Sequence, residues 1–389
     1  MSCTAKRTRI KNLLIKKQSA NVFDQPATTD DYRLDAGFVA QLTPEVVARD
    51  ILKSSYTTEA DLVVLKIGTM TGVSEMYGDD YTDGTTTPYF NDLLESVQLT
   101  PTKLEAIPVS AIAAPFVHNE IVSGATGVGR VVVPTTVTDS VVIVAVTTPG
   151  FTSETITGSI SGSATATGVE TDYGWSYKFN SDLCERLSCQ AEEDGLISKM
   201  YNAVPTLTIT ADDSGIPKLN YEISGVIYED TGIPQWLRDG SMSTIVRDET
   251  IPPLFQDGRL TYVNQSVSFV PVVDSTNTTD LAINRPARRD ANNAGGVEGF
   301  VVTGRVPTQT IRIDTPSNAD ADFTLDWLDS DSVSLEWRYG QEQGNTFWFF
   351  APTSKIENAT PSDQDGFMKQ ELQFKLTGQD DEELEIVCI

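Results

Sequence analysis

Two-residue alternation of apolar and polar positions dominates this chain, and it is clearest between residues 182 and 228. A half-apolar run from Leu183 to Gln190 meets a turn at Glu193-Asp194-Gly195, and the chain returns from Leu196 to Tyr201. Asp-Gly at this position predicts a hairpin, because both turn residues must accept positive φ. In a second hairpin, Thr206, Thr208 and Thr210 alternate with Leu207 and Ile209, and Asp212-Asp213-Ser214-Gly215 makes the turn. The return strand sets Lys218, Asn220, Glu222 and Ser224 against Leu219, Tyr221 and Ile223. A strict period of two buries one set and turns the other toward water or a partner. The polar set is long, and the first hairpin adds Arg186, Ser188, Gln190 and Glu192 to it. A sheet that lines something aqueous is the expectation.

Turn pairs recur along the rest of the chain, at Asp83-Gly84, Asp239-Gly240, Asp257-Gly258 and Asp365-Gly366. Such spacing argues for an all-β body with few helices. One helix is marked, over about residues 88–98. Thr87 can cap it, Pro88 suits its first position, and Phe90, Leu93, Leu94 and Val97 form a stripe that would face a sheet. Thr43-Pro44-Glu45 imitates the same start, yet the run from Val46 to Ile51 fits a strand nearly as well.

Residues 103–170 change character: acids become rare, and Gly, Ser, Thr, Val and Ile dominate. The segment from Glu120 to Gly127 is echoed 34 residues later from Glu154 to Ser161. Between the copies, Val131 to Val133 and Val141 to Val146 read as strands. Two copies of a β unit predict a small barrel or sandwich inserted between body strands, with its ends close together. Outward projection is one expectation for it; a long loop packed on the body is the other.

Charge sharpens the picture. The 389 residues carry a net charge of −27, while Lys6, Arg7, Arg9, Lys11, Lys16 and Lys17 put six bases and no acid into the first 17. The remainder holds 22 bases against 55 acids, a net −33. A surface of that sign repels phosphates, which argues against a dedicated nucleic-acid binder and is compatible with a wall past which DNA slides. The basic start reads as a short arm leading into a first strand. Its apolar core, Leu13-Leu14-Ile15, is too short for a signal peptide, and no run of 18 apolar residues occurs elsewhere, so no membrane contact is expected. Cys3, Cys184, Cys189 and Cys388 lack metal-site spacing. Cys184 and Cys189, placed on opposite faces of one strand, should not bridge, and reduced thiols are expected.

Candidate chemistry is thin. With His118 the only histidine, no histidine-based triad or zinc site can be assembled, and His118 itself reads as a surface or strand-end residue. Ser123-Gly-Ala-Thr-Gly-Val-Gly129 lacks the Lys-Ser/Thr that completes a phosphate loop. Asp320, Asp322, Asp326, Asp329 and Asp331 suggest calcium, but glycine and glutamate are missing from the required loop positions. No carboxylate pair stands out for glycoside hydrolysis. Neither an enzyme, nor a cofactor, nor a metal is expected.

The stretch DGLISKMYNAVPTLTITADDSGIPKLNYEISGVIY resembles the central region of the major tail tube proteins of long-tailed bacteriophages. LLIKKQSANVFDQPATTDDYRLDAGFVAQLTPEVVARDIL resembles that family's opening strand, proline-containing loop and next strand, and favours extended chain after Thr43. GFVVTGRVPTQTIRID, WRYGQEQGNTFWFFAPTSKIE and DGFMKQELQFKLTGQDDEELEI continue the likeness in the same order. The resemblance implies a tail-tube β-sandwich body in residues 1–102 and 171–389, one flanking short helix, and an inserted β module in residues 103–170. It further implies stacked rings, six subunits in each, whose long hairpins close one barrel around an acidic lumen for DNA ejection. Lys218, Asn220, Glu222 and Ser224, with Arg186, Ser188, Gln190 and Glu192, would face that lumen. Partners would be other copies, other tail proteins, and viral DNA passing without sequence-specific binding, in a virion tail assembled in the host cytoplasm. The rival is a virion-surface or secreted adhesin that binds glycans through the repeat module, which would need an aromatic-lined pocket. A tail-completion protein of the same fold is a third reading.

Overall fold

The computed structural model describes residues 11–20, 22–32, 38–43, 45–47, 62–78, 85–211, 216–245, 251–253, 259–264, 267–269, 273–290, 292, 296–316, 322–364 and 366–389. The chain is all-β. Strands β1 (Lys11–Lys17), β2 (Val39–Leu42) and β3 (Ile67–Glu75) precede a short helix α1 (Asn91–Ser96). Strand β4 (Leu99–Ala114) then leaves the body and enters the insertion. Strands β5 (Ile121–Ser123), β6 (Val128–Val131), β7 (Val141–Thr148), β8 (Thr155–Gly158) and β9 (Ser163–Ala166) complete it, and β10 (Thr171–Phe179) returns. The two sequence-read hairpins follow as β11 (Leu187–Glu193), β12 (Leu196–Ala211) and β13 (Pro217–Ile227). Asp194 and Gly195 have φ of 43° and 79°, the left-handed pair that the first turn requires; the second turn, 212–215, lies outside the described residues. The C-terminal part adds β14 (Arg259–Asn264), β15 (Val273–Asp280), β16 (Thr308–Asp314), helix α2 (Phe323–Asp329), β17 (Val333–Tyr339), β18 (Phe347–Gln364), β19 (Phe367–Leu376) and β20 (Glu385–Cys388).

The pairings reveal an internal duplication. In the first unit β2 pairs with β3, β3 with β13 and β13 with β12. In the second, β15 pairs with β16, β16 with β19 and β19 with β18. Each unit is therefore two strands, a short helix and a long hairpin, ordered so that the hairpin's second strand lies against the unit's second strand. The opposite layer repeats as well: β1 pairs with β11 and β11 with β12, as β14 pairs with β17 and β17 with β18. Pairing of β12 with β15 welds the units into one eight-stranded antiparallel sheet. A single core fills the space between the layers, including Met70, Leu207, Tyr221, Ile223, Trp337, Phe349 and Phe374. Phe90, Leu93, Leu94 and Val97 of the expected helix all enter it. That helix is shorter than the spacing predicts: Phe90 occupies the cap position with no side-chain hydrogen bond, so Thr87 does not cap it.

Helix α2 was not visible in the alternation, and it changes the meaning of the nearby acids. Asp322 is its N-cap, accepting from Leu325 N at 3.0 Å, which is ordinary capping. Asp320 lies outside the described residues, and among those described no group of three or more His, Cys, Asp or Glu could hold a metal ion. One smaller expectation also changes. Cys184 precedes β11 and is exposed, while Cys189 and Cys388 are buried free thiols whose pKa burial raises. The chain after Thr43 is strand over Glu45–Val47, as the likeness favoured. Residues 1–10 of the basic arm lie outside the described residues; Lys11 and Lys17 pair with Glu193 and Glu95.

The insertion is a closed six-stranded barrel. Its ring runs β4–β7–β6–β5–β8–β9 and back to β4, every pair antiparallel. Ile107, Phe116, Val122, Val144, Phe151 and Ile156 fill its interior. The 34-residue repeat is a pseudo-twofold: β4, β5 and β6 of one half correspond to β7, β8 and β9 of the other. Each repeat's glutamate serves the other repeat's turn. Glu120 Oε1 accepts from the backbone N–H of Ile160, Ser161 and Gly162 at 2.7–2.9 Å, and Glu154 accepts from Ala125 N. Entry and exit strands lie side by side, with Thr171 opposite Ala106.

The barrel does not stand free. Val132, Val133, Ile143 and Ala145 on its outside pack with Leu104, Phe350, Val387 and Ile389 of the body, joined by the partly buried Trp348. Replacing residues 107–168 by a Gly/Ser linker is expected to uncover that apolar patch, giving a product that binds a hydrophobic dye and self-associates. A soluble, monodisperse product with wild-type dye binding would show that the docking contributes little.

Candidate functional site

The eight-stranded sheet presents one face to the core and the other outward, and the outward face is the candidate site. On β13, Leu219, Tyr221 and Ile223 are buried, while Lys218, Asn220 and Glu222 point the other way. Thr206, Thr208 and Thr210 of β12 and Thr71, Val73 and Glu75 of β3 flank them in register. The second unit continues the surface through Thr278 and Asp280, then Thr308, Thr310, Arg312 and Asp314, then Lys369, Glu371, Gln373 and Lys375. Hydroxyl and amide groups tie neighbouring strands together. Asn220 Nδ2 donates to Thr210 Oγ1 at 2.8 Å, and Thr208 Oγ1 donates to Asp280 Oδ1 at 3.3 Å.

Charge on this face is balanced. The register places Glu75, Glu222, Asp280, Asp314 and Glu371 among Lys218, Arg312, Lys355, Lys369 and Lys375. Opposite signs meet across strands, as in the 2.5 Å pair of Lys369 with Asp314. The expected acidic wall is thus not what this surface presents, and the chain's negative charge lies elsewhere. Lys218 sits opposite Glu75.

Of the eight residues singled out from sequence, four form the β13 row. Glu222 is the most exposed and forms a 2.7 Å pair with Arg285, whereas Ser224 is buried at 7%. The other four do not share the face. Ser188, Gln190 and Glu192 are covered by the chain's own residues. Ser188 Oγ accepts from Asp24 N at 2.9 Å, and Gln190 Oε1 accepts from Gln25 Nε2 at 2.7 Å. Glu192 accepts from Asn12 Nδ2 and from Ser243 N; burial works against its ionised form, and these hydrogen bonds outweigh it to hold its pKa below the ordinary value. Arg186, with 10% of its side chain exposed, lies 3.8 Å from Glu298. The alternation was read correctly there, but a wet face cannot be told from a face covered by a loop. β13 is paired on both sides within the subunit, so proline at Glu222 would break the subunit rather than a contact between copies.

A second cluster escaped the sequence entirely. Glu385 on β20 is 1% exposed and receives two hydrogen bonds from Arg130 of the barrel, at 2.7 and 2.9 Å. His118 Nε2 lies 2.8 Å from the same carboxylate, Lys178 Nζ lies 3.6 Å away, and Ser176 Oγ donates to it. The imidazole stacks on Phe350 with centroids 4.3 Å apart, so His118 is an interior residue, not a surface one. Serine and histidine both address the glutamate, and Ser176 is 1% exposed, so the geometry offers no accessible nucleophile. It pins the barrel to the body. The only sequence signal was a lone histidine, whose partners lie 12 to 267 residues away.

Burial would raise the Glu385 pKa, but hydrogen bonds from His118 and Arg130 and the Arg130 charge hold it well below the carboxylate range. His118 is held below its ordinary 6.5, first by burial, against the opposing pull of Glu385. Both folded values are depressed, so each contribution is complete above the unfolded value and lost as pH falls toward the folded one. Stability is therefore expected to decline below about pH 6.5 through His118 and again below about 4.5 through Glu385. Denaturant midpoints measured across this range check it; a His118→Phe variant with an unchanged decline between pH 6.5 and 5 would contradict the assignment.

No protein-family model matches the sequence, and comparison with curated proteins gives no match.

Proposed function

We propose that this chain is the repeating subunit of a bacteriophage tail tube, stacked in rings whose inner wall is the outward face of the eight-stranded sheet. One observation carries the reading: a sheet with one face in the core and the other lined by threonines and balanced charge, whose end strands are paired on one side only among the described residues. An exposed edge is an aggregation liability in a monomer, and closure in a ring removes it. A wall of hydroxyls and paired charges gives DNA phosphates no net cationic surface to hold, so counterion release never drives sticking. The resemblance implies six subunits in a ring; because each chain here holds two units, we propose instead that three chains supply the six. Such a ring has roughly 24 strands, more than the 16–22 at which barrels enclose a channel or a wide lumen. At about 4.8 Å per strand its wall is roughly 115 Å around before tilt.

A glycan-binding adhesin finds little support, since Phe116 and Phe151 of the barrel are 1% and 0% exposed and offer no aromatic platform. Negative-stain microscopy of the concentrated protein tests the proposal. Rings or tubes with an axial channel are expected; a dispersed monomer at every concentration and salt would refute it.

A further inference from the structure

The duplication indicates how one copy meets the next. Strand β3 maps onto β16 with a constant offset of 239 residues: Thr69, Thr71 and Glu75 correspond to Thr308, Thr310 and Asp314. The same offset carries β2 onto the end of β15, Gln41 to Asp280 and Leu42 to Leu281, and both strands pair in the equivalent register. The long hairpins match too. Lys218 lies opposite Glu75 in one unit, as Lys369 lies opposite Asp314 in the other. Aligning these rows places Thr208 of β12 on Thr360 of β18.

Within the chain, the last strand of unit one joins the first strand of unit two. Thr208 faces Asp280, Thr210 faces Thr278, and Leu281 N donates to Leu207 O at 3.1 Å. Leu281 is 0% exposed in that junction. At the two ends of the sheet the corresponding strands have no such neighbour among the described residues. Strand β2 pairs only with β3, and residues 358–364 pair only with β19. Leu42, the counterpart of Leu281, is 46% exposed, and Val39 is 49% exposed. Leu42 N is turned outward, because its neighbour Thr43 N donates inward to Ile67 O at 3.0 Å. Pro361 stands on the other open strand, where a missing N–H breaks no ladder inside the subunit.

We propose that strand Val39–Leu42 of one copy pairs antiparallel with residues 358–363 of the next, reproducing the internal junction, with Gln41 opposite Thr360 and Val39 opposite Ser362. The partner is a second copy of this chain, and the inference rests on the tube reading. Leu42 N would donate to the partner's Ala359 O and bury its side chain as Leu281 does. Pro361 leaves this ladder one donor short of the internal one, so copies join less tightly than the units within a chain. Head-to-tail repetition of one heterologous contact closes a ring.

Gln41 and Thr360 would form a non-hydrogen-bonded pair, as Asp280 and Thr208 do internally, with Cα atoms about 4.5 Å apart, inside disulfide reach. In a Cys184→Ser background, the pair Gln41→Cys with Thr360→Cys is assembled, imaged and oxidised. Gln41→Cys with Lys355→Cys is the out-of-register control. Near-complete conversion to covalent trimers in the first pair, with background linking in the second, is expected. Rings that form yet link no better than the control overturn this junction while leaving the tube reading intact. Absence of rings from the unsubstituted protein as well refutes the tube reading, and the junction with it.

Discussion

Replacing Glu385 by alanine is expected to cost about 3–5 kcal/mol of stability, because breaking a buried ion pair strands its partners. Arg130 would keep its charge at 18% side-chain exposure with Asn119 left to receive it, and Lys178 would lose its carboxylate neighbour. The apolar docking patch around Phe350 and Val387 is adjacent, so the loss should appear as release of the barrel before the body melts. Protection of barrel amides against hydrogen exchange reports this directly. Removing Arg130 as well, in Glu385→Ala/Arg130→Met, is expected to recover part of the loss, since the coupling of the pair then disappears from both sides. A Glu385→Ala variant within about 0.5 kcal/mol of the parent, the usual range for surface substitutions, would show that the cluster is solvated and not a pin.

Leu42→Pro is expected to abolish assembly while leaving the subunit folded. The proline removes an N–H that points away from β3, so the ladder inside the subunit keeps its bonds, and β2 is an edge strand, where proline is tolerated. The junction with the next copy loses one of its few donors and the side chain that the internal counterpart buries. Sedimentation should show monomer at concentrations where the parent forms rings, with unchanged far-ultraviolet circular dichroism. Rings from this variant would place the contact elsewhere. Proline at Ile223 is the contrast: β13 is paired on both sides and Ile223 is 0% exposed, so that variant should fail to fold.

Much of the fold was legible because β-structure writes itself in period two and in turn residues. The hairpins through Asp194-Gly195 and along Thr206 to Ser224, the core role of Phe90, Leu93, Leu94 and Val97, and the repeat in residues 103–170 all follow from local chemistry. The duplication of the body was also written, in Thr69-x-Thr71 to Glu75 and Thr308-x-Thr310 to Asp314, but at 239 residues' separation with few identities it lay below notice. Helix α2 was hidden because Asp322, its cap, sits in a run of aspartates that resembles a cation loop.

What the chain determined by itself, then, is the identity of its strands and which side of each is apolar, since both depend on neighbours two residues apart. Tertiary structure alone decided which polar sides stay wet. Ser188, Gln190 and Glu192 alternate as regularly as Lys218, Asn220 and Glu222, yet Asp24, Gln25, Asn12 and Ser243 cover the first set, while Glu222 of the second stays exposed. Tertiary structure also decided that the outward face is neutral, by opposing Lys369 to Asp314 and Lys218 to Glu75, and that His118, Arg130 and Glu385 meet at all. The physical reason is common to these cases. Burial and charge pairing depend on distances between residues far apart in sequence, and a period of two carries no information about what lies across the gap.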